Sequence, residues 1–272
     1  MSELISPATY KKAAKSGKTV PFKAALYMGG GEISPMFGRV SAETLNALRL
    51  LDSCAVANAV ETFDIRLRNE SFSAPCLCCR FPKLPPMVGY ATTLPVRASA
   101  PPWKGKSCLD RTEWWRQMEV VPAPRVAVIQ DMDYHAGRGA FIGEVQANIL
   151  KALGCVGVVT DGAVRNLAAI EGIDFQLFSE RVSVSHAYVH VVEYGMPVEV
   201  ASLKVRPGDL LHGDQNGLVR VPLEIATDIP DVATCLRERE KQIIGYCRSA
   251  EFPWRGYAPA RKRDDWLTIV WG

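Results

Sequence analysis

The stretch from residue 125 to residue 166 constrains the fold more than any other part of the sequence. Residues 126–129 are consecutive apolar residues, which is typical of a short strand buried on both faces. After a glycine-rich loop, apolar residues recur at helical spacing from Val145 to Leu153, and Gly154 then provides a helix-ending residue. Residues 156–159 resemble a second buried strand. This order predicts a βαβ unit with a right-handed crossover between parallel strands.

The loop before the predicted helix has the composition of an anion-binding site. Gly137, Gly139 and Gly143 precede a helix start, where unpaired N–H groups and the helix dipole favour negative charge. The spacing excludes the dinucleotide-binding fingerprint, because the third glycine is Gly143 and position 142 is isoleucine. A P-loop is also excluded, since no Gly-Lys-Ser/Thr sequence follows. A loop that only caps the helix is the alternative interpretation.

A second polar segment, from Asp161 to Asn166, follows the next predicted strand and contains Arg165. The carboxyl ends of parallel strands meet at one edge of an open α/β sheet, and ligands bind there. We therefore expect Arg165 and the backbone of residues 143–146 to approach the same ligand. Arginine is well shaped to hold a carboxylate through two parallel hydrogen bonds. A structural salt bridge is the alternative role for Arg165.

These motifs, in their order and spacing, resemble the RraA-like family. Twenty residues separate Glu144 from Arg165. The matching motifs, in chain order, are Gly143-Glu144-Val145-Gln146, Asp161-Gly162-Ala163-Val164, Pro207-Gly208-Asp209 and Gly213-Asp214-Gln215-Asn216-Gly217-Leu218-Val219. The resemblance is good over 125–222 and thinner over 41–98. The family includes class II 4-hydroxy-4-methyl-2-oxoglutarate/4-carboxy-4-hydroxy-2-oxoadipate aldolases and the RraA regulators of ribonuclease E.

The resemblance implies an α/β fold, a swivelling-type α/β sandwich with a central mixed sheet and a βαβ unit that carries the site. It also implies a homo-oligomer, a trimer or hexamer, with sites at subunit interfaces. A small carboxylic acid would be the substrate and Mg²⁺ or Mn²⁺ the cofactor. In the aldolases the backbone matching residues 143–146 binds the substrate, and the arginine matching Arg165 assists. The next residue in the family is a metal-binding aspartate, whereas this chain has Asn166.

The function expected from these residues is that of a metal-assisted lyase acting on a 2-oxo acid. Retro-aldol cleavage or decarboxylation would leave a pyruvate-type enolate, whose charge Arg165 and the cation would stabilise. Glu144 is the candidate base for the substrate hydroxyl in the aldol case. Because hard cations prefer carboxylate oxygen, the neutral amide of Asn166 predicts weaker metal binding unless another acid compensates. The alternative function is that of a non-catalytic, RraA-like regulatory or binding protein.

The prolines of the chain cluster in one region. Nine of the 18 prolines fall between residues 75 and 124. Family-like segments lie on both sides of the cluster, so we interpret 99–124 as an insertion or long connection within one domain, serving subunit contacts. The predicted organisation is an N-terminal extension, an RraA-like domain and a basic, aromatic C-terminal tail, over residues 1–40, 41–246 and 247–272.

Weaker patterns predict the remaining elements. The alternation from Val182 to Val192 predicts a strand that places His186 and His190 on one face, either as ligands or bases or as packed histidines. The other predicted elements are a helix capped by Ser41, strands over 87–93 and 175–178, a short helix over 167–170, a β-hairpin over 210–221 and a helix over 233–246.

Two further clusters have side chains that can bind metals. The C-x-C-C run at residues 76–79 lacks a second Cys/His pair at zinc-site spacing, so buried or semi-buried thiols are the favoured interpretation and a zinc site is the alternative. Asp131, Asp133 and His135 alternate directly after a predicted strand. Solvated loop charges are the favoured interpretation there, and a metal cluster is the alternative.

Charge and hydropathy argue against several classes of partner. The net charge of +3 over 272 residues is too small an excess to predict nucleic-acid binding. The sequence has no run of 18 apolar residues, so we expect no membrane span. Residues 1–18 are polar and rich in lysine, unlike a secretory signal. A cytoplasmic location is predicted.

Overall fold

The structure, a computed structural model, describes residues 38–102 and 111–249. Apart from residues 38–40 and 247–249, the predicted N-terminal extension and C-terminal tail lie outside the described residues. The helices of the described part are α1 (Ala42–Arg49), α2 (Ser53–Glu61), α3 (Arg111–Met118), α4 (Glu144–Ala152), α5 (Leu167–Glu171) and α6 (Ile229–Cys247).

Most strands belong to one mixed sheet. The strands are β1 (Cys78–Cys79), β2 (Met87–Arg97), β3 (Arg125–Asp131), β4 (Ala140–Ile142), β5 (Cys155–Val164), β6 (Gln176–Val182), β7 (His190–Val191), β8 (Val198–Val200), β9 (Leu203–Val205), β10 (Leu210–Asp214) and β11 (Gly217–Val221). The sheet has the order β1-β6-β5-β3-β2-β10-β11, with β4 beside β5 and β7 beside β2. Strands β2, β3, β5 and β6 are parallel, and β10 runs antiparallel to β2. Strands β8 and β9 form a separate hairpin.

The segment over residues 71–80 contacts both edges of this sheet. The backbone N–H of Ser73 donates to the carbonyl of Leu218 on β11, at 2.9 Å. The backbone N–H of Arg80 donates to the carbonyl of Leu177 on β6, at 2.8 Å. The mixed sheet is therefore nearly closed into a barrel, and the predicted α/β fold with a central mixed sheet is confirmed.

Alternation along the central strands divides the core into two layers. On β3, Ala127 and Ile129 belong to the apolar cluster that helices α3, α4 and α5 cover on the outside of the sheet. Val126 and Val128 point to the other face and pack with the β8–β9 hairpin. A strand with apolar residues on both faces must be covered on both faces, which explains the unbroken apolar run seen in the sequence.

Helices α1, α2 and α6 cover the remaining part of the sheet. Their apolar residues form a cluster with the start of β2 and with β10 and β11. Ser41 caps α1 as predicted, because its Oγ accepts a hydrogen bond from the N–H of Thr44 at 3.1 Å. None of the helices in the described ranges is long and apolar enough to cross a membrane.

The predicted βαβ unit is present as β3, α4 and β5. Strands β3 and β5 are parallel neighbours, and Gly154 follows α4 with a φ of +77°, the left-handed conformation expected after a helix end. The predicted hairpin is also confirmed as β10 and β11. Several elements are longer than predicted, most clearly β5, which continues through Gly162 to Val164 with a register shift.

The strand predicted over 182–192 is wrong. Strand β6 ends at Val182, whose partner Val164 is the last residue of β5. Beyond that pair single backbone hydrogen bonds continue, from the N–H of Ser183 to the carbonyl of Val164 and from the N–H of Ala140 to the carbonyl of Ser185. Residues 183–189 form no strand, and His190 instead pairs with Arg97 on β2.

Residues 99–124 connect two parallel neighbours, β2 and β3. The described part of this connection contains α3, which the sequence analysis did not predict. Trp114 and Met118 on α3 are fully buried in the core under the central strands. The Trp114 ring meets the Phe141 ring edge-on, with centroids 6.0 Å apart. This connection therefore contributes core residues to the domain.

Candidate functional site at the carboxyl edge of the sheet

The four parallel strands β2, β3, β5 and β6 end at the same edge of the sheet. Their last residues are Arg97, Asp131, Val164 and Val182, respectively. Open parallel sheets bind ligands at this edge, because loops that follow adjacent strands converge there. Both polar segments that the sequence singled out, after β3 and at the end of β5, thus reach one edge.

Helix α4 begins at this edge without a side-chain cap. Gly143 is its N-cap, with extended backbone (φ −142°, ψ −172°), and no side chain caps this helix end. The N–H groups of the first turn are therefore available to a bound anion, with the helix dipole in the same direction. Gly143 is buried, whereas Glu144 and Val145 are exposed. Gln146 is half-buried, and its Oε1 has no hydrogen-bond partner in the described part of the chain.

Arg165 and Asn166 lie directly beside the start of α4. A methyl group added at Gly143 would lie 3.1 Å from Cγ of Arg165 and 3.1 Å from Oδ1 of Asn166. The backbone N–H of Arg165 donates to the carbonyl of Ile142 at 2.9 Å, which fixes the end of β5 next to the helix. The two segments that were expected to converge are therefore in contact, and a larger side chain at position 143 would displace this arginine.

The guanidinium of Arg165 is hydrogen-bonded to the adjacent Asn166, and its other N–H donors have no partner among the described residues. Its Nε donates to Oδ1 of Asn166 at 2.9 Å. Within residues 38–102 and 111–249, no acceptor pairs with its two terminal nitrogens, so the predicted alternative of a structural salt bridge has no partner there. The side chain is half-buried, which lowers the cost of holding it in one conformation. Two parallel N–H donors next to a helix start match a carboxylate.

The backbone conformation at residue 166 explains why an asparagine fits there. Its φ and ψ are +57° and +43°, in the left-handed region that asparagine tolerates better than most residues. The residue is exposed and precedes helix α5 without capping it through its side chain. The amide oxygen is turned back toward Arg165 instead. The turn that ends β5 thereby also orients the arginine.

The donors around Arg165 do not fit the divalent cation that the family resemblance implies. The oxygen of Asn166 is neutral and already accepts a hydrogen bond from a cationic group, which repels a second cation. Glu144 is exposed, and Mg²⁺ and Mn²⁺ prefer carboxylate oxygen. In the described ranges no three His, Cys, Asp or Glu side chains come together so as to hold a metal ion.

Asp131 and Asp133 organise the loop that follows β3. Oδ2 of Asp131 accepts the N–H of Gly137 at 2.7 Å, and Oδ1 accepts the N–H of Asp133 at 3.1 Å. Oδ2 of Asp133 accepts the N–H groups of Ala98 and Ser99, both at 2.7 Å. The interpretation of solvated loop charges is therefore wrong for Asp131, which is 5% exposed. Both carboxylates are used to hold backbone.

The Asp161 carboxylate binds the backbone of Asp131, a contact that was not predicted from the sequence. Oδ1 of Asp161 accepts the backbone N–H of Asp131 at 2.7 Å. Burial, together with the nearby charges of Asp131 and Glu180, raises the pKa of Asp161 to about 7. One sequence pattern could have indicated this contact: Asp131 ends the first predicted strand of the βαβ unit, and Asp161 follows the second. A proton is therefore held near the site at close to neutral pH.

His186 and His190 belong to the irregular segment after β6 and hold backbone there. Nδ1 of His186 pairs with the carbonyl of Ala140 on β4, at 2.5 Å. Nδ1 of His190 pairs with the carbonyl of Tyr188, at 2.8 Å. The expected shared strand face is absent, because residues 183–189 form no strand. The two rings therefore have separate local partners.

The cysteines of the C-x-C-C run lie on and before the edge strand β1. Sγ of Cys76 donates to Oε1 of Glu180 at 3.2 Å, and Sγ of Cys79 donates to Oε1 of Gln176 at 3.6 Å. Cys76 and Cys78 are exposed free thiols. The interpretation as buried or semi-buried thiols is therefore wrong for Cys76 and Cys78, whereas Cys79 is half-buried as expected.

Comparison with known proteins finds relatives of this chain in sequence and in fold. A curated protein of Halalkalibacterium halodurans named "Putative 4-hydroxy-4-methyl-2-oxoglutarate aldolase" is 26% identical over 121 residues, which cover 39% of this chain. The match spans 57% of that relative, so the chain spans little more than half the length of the curated protein.

Two solved structures share the fold. An uncharacterized protein of Pseudomonas syringae pv. tomato has a TM-score of 0.62 at 20% identity, over 82% of this chain and 96% of that one. Streptomyces coelicolor RraAS2, described as an unusual member of the RNase ES inhibitor RraA protein family, has a TM-score of 0.59 at 22% identity, over 75% and 97%. The profile of the RraA-like family, described as Aldolase/RraA, matches residues 53–220, more than half of the chain. The chain therefore belongs to the RraA-like family.

Proposed function

We propose that this chain is a carbon–carbon lyase that acts on a 2-oxo acid at the carboxyl edge of the sheet. The observation that carries the proposal is the Arg165 guanidinium, whose two terminal nitrogens have no partner among the described residues and lie next to the uncapped start of α4. This arrangement suits one carboxylate, held by the arginine and by N–H groups of residues 144–146. The family membership and the aldolase name of the curated relative support the same substrate class.

The proposed reaction breaks the C3–C4 bond, which is one bond removed from the C2 carbonyl carbon. In retro-aldol cleavage the C3–C4 bond breaks, and in decarboxylation a carboxylate leaves as CO₂. In both cases the electron pair of the broken bond moves toward the C2 carbonyl and leaves a pyruvate-type enolate. Negative charge then develops on the C2 oxygen, where the donors of Arg165 and the first turn of α4 stabilise it. A proton from solvent converts the enolate to pyruvate.

Glu144 is the proposed base in the retro-aldol case. Its carboxylate is exposed at the first position of α4, adjacent to Gly143. It would accept the proton of the C4 hydroxyl, while the oxygen electron pair forms the new carbonyl and the C3–C4 bond breaks. Decarboxylation of a 2-oxo diacid does not need this base. Glu144→Gln is therefore expected to slow aldol cleavage more than decarboxylation.

The family resemblance also leads us to propose that this chain is a cytoplasmic homo-oligomer, a trimer or hexamer. For the aldolases of the family, the resemblance implies a divalent cation as well. The donors beside Asn166 do not support such a cation in this chain, as described above. Sedimentation velocity of the full chain measures the oligomeric state directly. A monomer at micromolar concentration would contradict the proposed assembly without affecting the proposed ligand site.

The direct test measures pyruvate release by the full chain from oxaloacetate and a panel of 4-hydroxy-2-oxo acids. Each substrate is assayed with EDTA and with Mg²⁺ or Mn²⁺, and protein-free reactions correct for metal-catalysed decarboxylation. We expect turnover that Arg165→Ala removes and that the surface variant Arg116→Ala retains. Absence of turnover under every condition would contradict the lyase and leave the regulatory class of the family.

A further inference from the structure

The side-chain contact between Arg165 and Asn166 has a consequence for how the ligand is held. We infer that this chain binds its 2-oxo acid without a divalent cation, and that Asn166 acts as a positioning residue for Arg165. The inference rests on the proposed function, because it concerns the same carboxylate site. It differs from the family expectation, in which the residue at this position is a metal ligand.

The hydrogen bond fixes the guanidinium in a useful orientation. Oδ1 of Asn166 accepts a hydrogen bond from Nε of Arg165 at 2.9 Å. The remaining donors stay free, in the fork geometry that holds a carboxylate through two hydrogen bonds. The left-handed backbone of Asn166 determines where the amide lies, and the N–H of Arg165 is itself fixed to Ile142. The arginine is therefore positioned before any ligand arrives.

The charge of the site also favours a ligand without a cation. An amide at position 166 leaves the full positive charge of Arg165 available to an anion. A carboxylate there would pair with the guanidinium, reduce its attraction for a carboxylate ligand and add a negative charge that a cation would have to neutralise. With Asn166, the guanidinium and the helix dipole of α4 together supply the positive potential.

The other acids at this edge are used by backbone donors. Asp131 accepts two N–H groups from its own loop, and Asp133 accepts two from the residues that follow β2. Asp161 accepts the N–H of Asp131. These carboxylates therefore have partners that a metal ion would have to displace, and the described residues contain no metal-holding group of three.

Calorimetric titration of the full chain with oxalate and with pyruvate tests the inference. Titrations are run in EDTA and in Mg²⁺. We expect the Kd of the wild-type chain to agree within about twofold between the two conditions, which is a small difference in binding free energy. In parallel, we expect the electron paramagnetic resonance signal of free Mn²⁺ to remain unchanged when the protein is added. Arg165→Lys should weaken oxalate binding at least about tenfold in both conditions, because lysine lacks the planar fork.

The variant Asn166→Asp separates positioning from metal binding. We expect it to bind oxalate roughly tenfold more weakly in EDTA, because the new carboxylate neutralises Arg165, and to recover affinity with Mg²⁺. Asn58→Asp on α2 is the matched control, since it makes the same chemical change at an exposed position of another helix. That control should bind as the wild type does in both conditions.

Other results of these titrations would contradict the inference or the proposed function. Wild-type binding that requires Mg²⁺, or a loss of the free Mn²⁺ signal, would overturn the inference and leave the proposed lyase standing. Asn166→Asp binding as tightly as the wild type in EDTA would overturn the positioning role. If neither ligand binds under either condition, the proposed carboxylate site itself is wrong. Should Asn166→Asp fail to fold, Asn166→Gly keeps the left-handed backbone but lacks the amide oxygen, and unchanged oxalate affinity in that variant would overturn the positioning role.

Discussion

Oδ1 of Asp161 accepts a hydrogen bond from the backbone N–H of Asp131 at 2.7 Å, across the two neighbouring parallel strands β5 and β3. Burial raises the pKa of the Asp161 carboxyl from an ordinary value of 3.8 to about 7, and the charge of Asp131 adds to this. Asp161 therefore binds a proton more tightly in the folded chain than in the unfolded chain. This difference links the stability of the site edge to pH.

The first prediction concerns Asp161→Asn. Between pH 3.8 and about 7 the folded chain binds more protons at Asp161 than the unfolded chain does, so its contribution to stability falls as pH rises through that window. The asparagine keeps an oxygen that can accept the Asp131 N–H but has no charge to bury. We expect the variant to match the wild type near pH 4 and to be more stable at pH 8, by on the order of a few kcal/mol. Urea denaturation at pH 4.5, 6 and 8 measures the difference.

Asp174→Asn provides the control for this experiment. Asp174 is exposed and has a left-handed backbone with a φ of +48°, which asparagine also tolerates. The same chemical change there should leave the pH dependence of the unfolding free energy unaltered. A difference between Asp161→Asn and the wild type that stayed constant from pH 4.5 to 8 would show that the Asp161 proton is not linked to folding.

The second prediction concerns the buried histidine on β10. Nε2 of His212 lies 3.1 Å from the carbonyls of both Leu48 and Leu51, while its Nδ1 is buried without a partner in the described residues. Burial lowers the pKa of His212, so the folded chain keeps the ring neutral. Below the ordinary histidine pKa of about 6.5 the unfolded chain binds the extra proton, so this contribution destabilises the fold as pH falls.

His212→Phe should remove that pH dependence. The two carbonyls lose their donor, so we expect a loss of about 1–3 kcal/mol at pH 7.5. The loss should be smaller at pH 5.5, because the wild type has itself become less stable there. Chemical denaturation at both pH values gives the comparison, and the exposed His135→Gln is the control. An equal loss at both pH values would contradict a neutral, buried His212.

Local sequence patterns were sufficient to predict the βαβ unit. Helix α4 has its apolar residues at helical spacing between two glycines, and both ends were placed within a residue or two. The adjacency of Gly143 to Arg165 also followed, because parallel strands end at a common edge. The direction of the Arg165 side chain did not follow, since it depends on the left-handed turn at Asn166 and on a hydrogen bond between neighbours.

Interactions between distant segments could not be predicted from one sequence. The Asp133 carboxylate binds the N–H groups of Ala98 and Ser99, more than 30 residues away along the chain. The alternating residues around Val184 looked like a strand, yet residues 183–189 form no strand and Val184 is 93% exposed, because alternation alone does not show whether a ladder of hydrogen bonds to another segment forms. Helix α3 was missed because its buried residues, Trp114 and Met118, give only one helical repeat beside proline-rich sequence.

The third prediction concerns space at the start of α4. The backbone of Gly143 is extended, so alanine fits there without backbone strain. Its methyl group would lie 3.1 Å from Arg165 Cγ and from Asn166 Oδ1, and both side chains must move. We expect Gly143→Ala to weaken oxalate binding roughly tenfold, since small displacements of a positioned group are costly. The melting temperature should change little.

Gly245→Ala is the matched control for this substitution. An added methyl group at Gly245 on α6 meets nothing within 4 Å, so it should leave oxalate affinity unchanged and stabilise the helix by about 0.5–1 kcal/mol. Calorimetric titration and thermal unfolding measure the two properties separately. Unchanged oxalate affinity in Gly143→Ala would mean that the ligand does not contact Arg165.

The fourth prediction tests the contribution of the 99–124 connection to the core. Trp114 on α3 is 1% exposed and meets the ring of Phe141, one residue before the last residue of β4. Trp114→Ala would leave a large cavity under the central strands, and we expect a loss of about 3–5 kcal/mol in the free energy of unfolding. Arg116→Ala on the same helix removes an exposed side chain and should cost less than about 0.5 kcal/mol. Because the buried Trp114 ring meets Phe141 on β4, Trp114→Ala should also weaken oxalate binding by loosening the strand that leads to Gly143. Urea denaturation measures the free energy of unfolding of both variants, and calorimetric titration measures their oxalate affinity. An equal loss of stability in the two variants would mean that α3 is not packed on the core. Unchanged oxalate affinity in a destabilised Trp114→Ala would mean that this part of the core does not support the site.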